Sequence, residues 1–222
     1  MTTGTDTLSW ANDTATITVS GSDEEARTYE LRTTADLRDN VPATKRISYS
    51  EQPGQPRVRS ASPMFDGLFA LAMEEVRQNS IESISHKDFN QGEPIVCSCF
   101  RTGEQWPYVW TRDTAYAVDL ALALVDPRRA RNSLLFKLSE RRQGGHLEIV
   151  QDTGSGGSWP VSTDRVVWAM GAWELLKYLD DSDRDGFLQT AYEAIVNTLE
   201  ADRRYVYDSR DELYRIPLHI NL

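Results

Sequence analysis

The sequence predicts a mainly α fold: an incomplete, double-layered α/α toroid of about five helices, preceded by a short N-terminal β segment. Three observations predict it. Helices apolar almost all round alternate with helices apolar on one face only. Residues 1–60 have strand composition instead. The helical part is too short to close a double ring of helices. The expected division is a β-rich segment over residues 1–60 and the helical domain over residues 61–222.

In the first segment, Thr14–Ser20, Thr28–Thr33 and Arg46–Ser50 are short, β-branched or aromatic, and separated by polar turns. Three such strands make a poor independent sheet, so they are expected to lean on the next domain or join a larger sandwich. Pro53, Gly54 and Pro56 mark a linker. From Pro63 onward, Phe65, Leu68, Phe69, Ala72, Met73 and Val76 fall at helical spacing and form one apolar face.

Thr114–Val125 is apolar almost all round, so a helix there is expected to be surrounded by protein. Asp126-Pro127 supplies a cap and a first-turn proline for a third helix, striped by Ala130, Leu134, Leu135 and Leu138. The pattern then repeats. Val166–Trp173, with Leu175 and Leu176, is again apolar nearly all round. The helix from about Asp185 to Ala201 returns to one face, formed by Phe187, Leu188, Ala191, Ile195 and Leu199. An ordinary bundle would show one stripe on every helix. Alternation is what an inner ring enclosed by an outer ring requires.

Composition narrows the function. Hydrophobic residues make up 40% and charged residues 26%, ordinary values for a globular chain. A net charge of -10 argues against a nucleic-acid partner and against docking on an anionic membrane, while a neutral sugar is indifferent to it. Arginine outnumbers lysine 20 to 4, which reads as genome composition or salt adaptation. No apolar run reaches the roughly 18 residues of a membrane helix. The start, Met1-Thr-Thr-Gly-Thr-Asp6, lacks a basic beginning and apolar centre, so a cytoplasmic protein is expected.

Several motifs carry no special chemistry. Cys97 and Cys99 are the only cysteines, and one intervening residue strains a disulfide within an extended segment. They are expected to be two small apolar side chains packed on one face. His86, His146 and His219 show no metal spacing, although His146 lies in a loop where it can meet substrate. Asp181–Gly186 begins like a calcium loop, but Tyr192 occupies the twelfth position, where a bidentate Glu is required. An acidic turn capping the next helix is the expected reading. Neither a metal nor any other cofactor is expected.

Two loops are unusual. Cys99–Asp113 places Trp106, Tyr108 and Trp110 just before Arg112 and Asp113 at the mouth of a buried helix. Flat aromatic faces suit pyranose rings, and Arg and Asp can hold sugar hydroxyls through charge-assisted hydrogen bonds. Thr111 or Asp113 could equally serve as a helix cap, and both readings stand. The second loop, Gln151–Asp164, carries a glycine cluster and Trp159 and leads into the other apolar helix. It lacks the Gly-Lys-Ser/Thr ending of a phosphate loop. Each loop sits at the same end of an apolar helix and bears Trp with Arg-Asp or Asp-Arg, which points to one shared pocket.

Tyr108-Val-Trp-Thr-Arg-Asp113, together with Gly156-Gly-Ser-Trp-Pro-Val-Ser-Thr-Asp-Arg-Val-Val-Trp168, resembles the six-hairpin glycosidase superfamily. The nearest likeness is to glucoamylase-like and glycogen-debranching, amylo-α-1,6-glucosidase-like proteins, over roughly residues 60 to 215. The resemblance implies an (α/α)6 toroid and an exo-acting glycoside hydrolase of α-glucan or a related oligosaccharide or polysaccharide. It implies that Arg112 and Asp113 bind hydroxyls of the terminal sugar. Trp159, Asp164 and Arg165 would line the same pocket with Trp106, Tyr108 and Trp110.

A full barrel of that family has about twelve helices and needs well over 200 residues, and Ile216–Leu222 does not resemble its continuation. The chain is therefore expected to be the front part only, with no catalytic acid or base identified. On its own it is expected to expose apolar inner-ring surface and to hydrolyse nothing. The alternatives are a noncatalytic carbohydrate-binding remnant and a helical interaction domain without a pocket.

Overall fold

The structure is a computed structural model that describes residues 2–22, 24–36, 44–85, 90–140, 145–150 and 163–215. The chain divides into two compact units, Met1–Gln78 and Asn79–Leu222.

The first unit is built on β1 (Thr2–Trp10), β2 (Asp13–Gly21), β3 (Thr28–Thr33) and β4 (Arg46–Ser50), one antiparallel sheet in sequential order. The last three lie where strand composition predicts them. Cross-strand register lines up Val19, Tyr29 and Tyr49 in one row, and Ile17, Leu31 and Ile47 in the next. These residues form one apolar face, with the Tyr29 and Tyr49 rings stacked at 5.7 Å.

Helix α1 (Pro63–Asn79) covers that face. It does so with Gly67 and Ala70, flanked by Met64 and Leu71, whereas Phe65 and Leu68, expected on the buried face, are exposed. The reason is steric. Gly67 lies so close to the sheet that a Cβ there would meet Ile17 at 2.0 Å and Tyr29 at 3.0 Å. The Tyr49 hydroxyl donates to the Gly67 carbonyl at 2.6 Å. Arg27 pairs with the buried Asp66 at 3.0 Å, and Asp66 also accepts from the Ser60 amide at 2.8 Å.

The second unit mixes helices with small hairpins. β5 (Ser80–Ile84) pairs with β6 (Ile95–Phe100). A helical stretch follows as α2 (Thr111–Ala117), a π-helical turn (Val118–Leu122) and α3 (Ala123–Val125). Next come α4 (Pro127–Leu135), the β7–β8 hairpin (Leu138–Ser139 with Glu148–Ile149), α5 (Thr163–Val166) and α6 (Trp168–Leu175). Finally, α7 (Asp181–Tyr205) precedes β9 (Tyr207–Asp208) and β10 (Leu213–Tyr214). Asp126 caps α4 as expected, accepting from the Arg129 amide at 2.9 Å. Asp180 caps α7, so Asp181–Gly186 is the beginning of that helix. Among the described residues no group of His, Cys, Asp and Glu is placed to hold a metal ion, and no helix is long and apolar enough to cross a membrane.

This architecture corrects the expected fold class. The described residues are 43% helix and 25% strand, with four antiparallel sheets among them, a mixed α/β composition with an N-terminal sheet and not a mainly α toroid. The two apolar helices are packed on one side only. Thr111, Thr114, Ala115 and Val118 are buried, as are Trp168, Gly171, Ala172 and Leu175. On the outward side Leu120 is 79% exposed and Trp173 69%, and Tyr116, Leu124 and Met170 are exposed as well. Their sequences are apolar all round, but the fold encloses only half of each helix. An inner ring walled in by an outer ring is therefore absent from the described residues.

Candidate functional site

The segment between β6 and α2 is fastened by its own backbone. The Thr102 amide donates to the Tyr108 carbonyl at 2.7 Å, and the Gly103 amide to the Trp106 carbonyl at 3.2 Å. The Tyr108 amide also reaches the Trp106 carbonyl at 2.7 Å, a tight turn centred on Pro107. The Thr102 hydroxyl accepts from the Trp110 amide at 3.2 Å. Val109 is fully buried in a cluster with Ile84 and Cys99, against which Tyr108 packs. A short run of sequence thus becomes a closed loop seated on β5–β6, with Glu104 and Gln105 at its tip and Trp106 on its returning arm.

Trp106 is 54% exposed and meets Trp110 edge to face, with ring centroids 6.2 Å apart. The Trp110 indole Nε1 is buried and has no hydrogen-bond partner among the described residues. Buried indole N–H groups are ordinarily satisfied, so this donor marks a place for an acceptor. Arg112 is half-buried, and Asp113 is an exposed carboxylate without a hydrogen bond or ion pair among the described residues.

The two open readings of the helix start now separate. The N-cap of α2 is Trp110, with no side-chain capping bond. Thr111 instead donates its hydroxyl to the Val150 carbonyl at 2.7 Å. Asp113 is in the first turn but caps nothing. Its carboxylate stays available to a ligand.

The second loop contributes less. Trp159 lies outside the described residues, and Asp164 belongs to α5 with its side chain outside them. Arg165 is only 2% exposed. Its Nε donates to the Ile149 carbonyl at 2.8 Å, Nη1 to Asp202 at 3.1 Å and Nη2 to Glu148 at 3.0 Å. Arg165 ties α5 to β8 and α7 and presents no surface to a sugar. Burial raises the Asp202 carboxyl above its ordinary value, Arg165 opposes that, and Glu148 adds to it. Sequence reasoning missed Glu148 and Asp202 because they lie 17 and 37 residues from Arg165. No local motif signals such a network.

The cysteines also depart from expectation, since a disulfide joins Cys97 to Cys99. The expected obstacle was an extended segment, and the segment is not extended there: Ser98 has a φ of +44°. Beside it Glu82, Ser98, Asp126, Arg128, Arg129 and Asn132 line a polar cavity of about 300 Å³. The charges there balance, with Arg129 paired to Glu82 at 2.8 Å and to Asp126 at 3.5 Å.

Compared with known proteins, the chain matches no family model, no curated sequence and no solved structure.

Proposed function

We propose that the second unit binds an oligosaccharide at the Trp106–Asp113 corner, as the substrate grip of a glycoside hydrolase acting on α-glucan or a related sugar. One observation carries the reading: an exposed Trp106 ring stands edge-on to Trp110, whose buried indole N–H lacks an acceptor among the described residues. The ring offers an apolar face for a pyranose and Asp113 an acceptor for hydroxyl protons, and a shift of the Trp106 ring on binding would open the indole N–H to a hydroxyl oxygen. The likeness of Tyr108–Asp113 to glucoamylase-like and glycogen-debranching proteins supports the α-glucan. It carries neither the fold nor the stereochemical outcome.

Binding without cleavage is part of the proposal. Glycoside hydrolysis needs a protonated acid opposite a second carboxylate across the scissile bond. Among the described carboxyls that are shifted, Asp202 is the one held above its ordinary value, chiefly by burial, and it is locked to Arg165. Titration calorimetry with maltoheptaose tests the grip. Trp106→Ala should weaken binding about tenfold, or ~1.4 kcal/mol, without loss of stability. Asp113→Ala should weaken it as well. Unchanged affinity in Trp106→Ala sinks the reading, and release of glucose by the pure chain sinks the claim that it does not cut.

A further inference from the structure

Residues two apart in an extended strand are separated by about 6.6 Å. Cys97 and Cys99 are 5.1 Å apart at Cα. A β-bulge shortens the distance. Ile81 pairs with Cys99 and Ser83 with Val96, so Cys97 and Ser98 together face Glu82. At the bulge Ser98 holds the left-handed backbone that a side chain disfavours. Its hydroxyl donates to Glu82 at 2.6 Å, and its carbonyl accepts from Asn132 at 3.2 Å.

This cross-link is a poor staple for the fold. Stabilisation by a disulfide grows with the length of chain it closes, and here a single residue intervenes. Its effect is local instead. Cys99 is fully buried with Val109, while Cys97 and Tyr108 pack against the same cluster. Tyr108 and Val109 lie between Trp106 and Trp110 in the chain, so the cysteines pack against the segment that carries both rings.

We propose that Cys97–Cys99 is a reversible dithiol–disulfide site whose oxidised form holds the aromatic corner in its sugar-binding shape. The proposal rests on the carbohydrate reading above. Its co-reactant is a dithiol. One thiolate of that dithiol attacks the sulfur of Cys97, the less buried of the pair, and forms a mixed disulfide. The sulfur of Cys99 leaves with the bonding electrons and takes up a proton. The second thiol of the reductant, as thiolate, then attacks its own sulfur in the mixed disulfide. Cys97 is released and protonated, and the reductant departs as a disulfide. The protein gains two electrons and two protons. Without the bond, Ser98 returns toward extended backbone, and the Cα separation lengthens toward about 6.6 Å. That displacement is passed through Cys99 to Val109 and Tyr108.

The test compares the full chain air-oxidised, reduced with dithiothreitol, and reoxidised. Maleimide labelling should find no reactive thiol in the oxidised chain and both Cys97 and Cys99 after reduction. The indole N–H signals of Trp106 and Trp110 should shift on reduction and return on reoxidation. Affinity for maltoheptaose should fall about fivefold or more in the reduced form. Cys97→Ser with Cys99→Ser should behave as the reduced chain and ignore dithiothreitol. Ser98→Gly, in which glycine tolerates the left-handed backbone, should retain the bulge and shrink the indole shift. Thiols reactive before reduction, or indole signals that stay still, overturn the proposal. So does equal affinity in both forms. If neither form binds maltoheptaose, the sugar reading fails, and the indole signals still decide whether the disulfide controls the corner.

Discussion

Replacing Arg165 with methionine separates a strut from a sugar ligand. Methionine keeps most of the volume but removes the charge, leaving Glu148 and Asp202 buried at 4% and 3% exposure without their cation. Breaking a buried pair from one side costs about 3–5 kcal/mol, a large share of the roughly 5–15 kcal/mol that holds a typical domain. The loss should depend on pH. Burial already raises Asp202 above its ordinary 3.8, with Arg165 as the opposing influence. Removing Arg165 raises it further.

A carboxyl raised in the folded state binds more protons folded than unfolded, so stability declines as pH climbs from 3.8 through the folded value. The deficit of Arg165→Met should therefore be full at neutral pH and shrink on acidification. Urea unfolding followed by circular dichroism at a series of pH values measures this. Adding Glu148→Gln and Asp202→Asn should recover most of the loss at neutral pH. A deficit below about 1 kcal/mol, the same at every pH, would refute the strut. Intact stability with lost maltoheptaose binding would refute it too, and return Arg165 to the sugar pocket.

Three further outcomes follow from the packing. Gly171→Ala should cost about 1–3 kcal/mol, because the new Cβ would stand 2.9 Å from the Ala115 carbonyl oxygen, and unchanged urea unfolding would count against that helix crossing. Leu120→Lys and Trp173→Gln should each alter stability by no more than about 0.5 kcal/mol, and a loss above about 1.5 would mean that these faces are covered in solution. Burial pushes the Glu51 carboxyl up, but hydrogen bonds from Arg59, the Arg27 amide and the Tyr29 hydroxyl outweigh it and hold the carboxyl below its ordinary 4.5. Its contribution is thus present above pH 4.5 and lost as pH falls through the folded value, so Glu51→Gln should flatten the acid limb of the first unit's unfolding profile.

The strands at β2, β3 and β4 were legible because β-branched and aromatic residues alternate there between polar turns. β1 was not, since Thr2–Trp10 is mostly Thr, Ser, Gly and Asp, and it is an edge strand whose pairing comes from β2. The buried side of α1 was misread for a related reason. The pattern favours Phe65 and Leu68, but the approach of Ile17 and Tyr29 selects the side with no side chain at Gly67. Apolar count does not reveal where a helix must be thin.

Composition misled in the same way at Tyr116, Leu120 and Leu124. An apolar residue on every side of a helix shows that burial on each side would be favourable, not that the fold supplies a neighbour there. The Trp106–Asp113 corner was legible because its determinants are local: Thr102, Trp106, Pro107 and Tyr108 close the loop among themselves. The Arg165 network and the bulge at Ser98 depend on partners from other elements, and those partners decide what each residue can do. Arg165 read alone is a sugar ligand, and enclosed by Glu148 and Asp202 it is a strut. Cys97 and Cys99 read alone are two thiols on one face, and drawn together opposite Glu82 they are a bond packed with Val109 and Tyr108. The chemistry assigned to the corner therefore stands or falls on Trp106, Trp110 and Asp113.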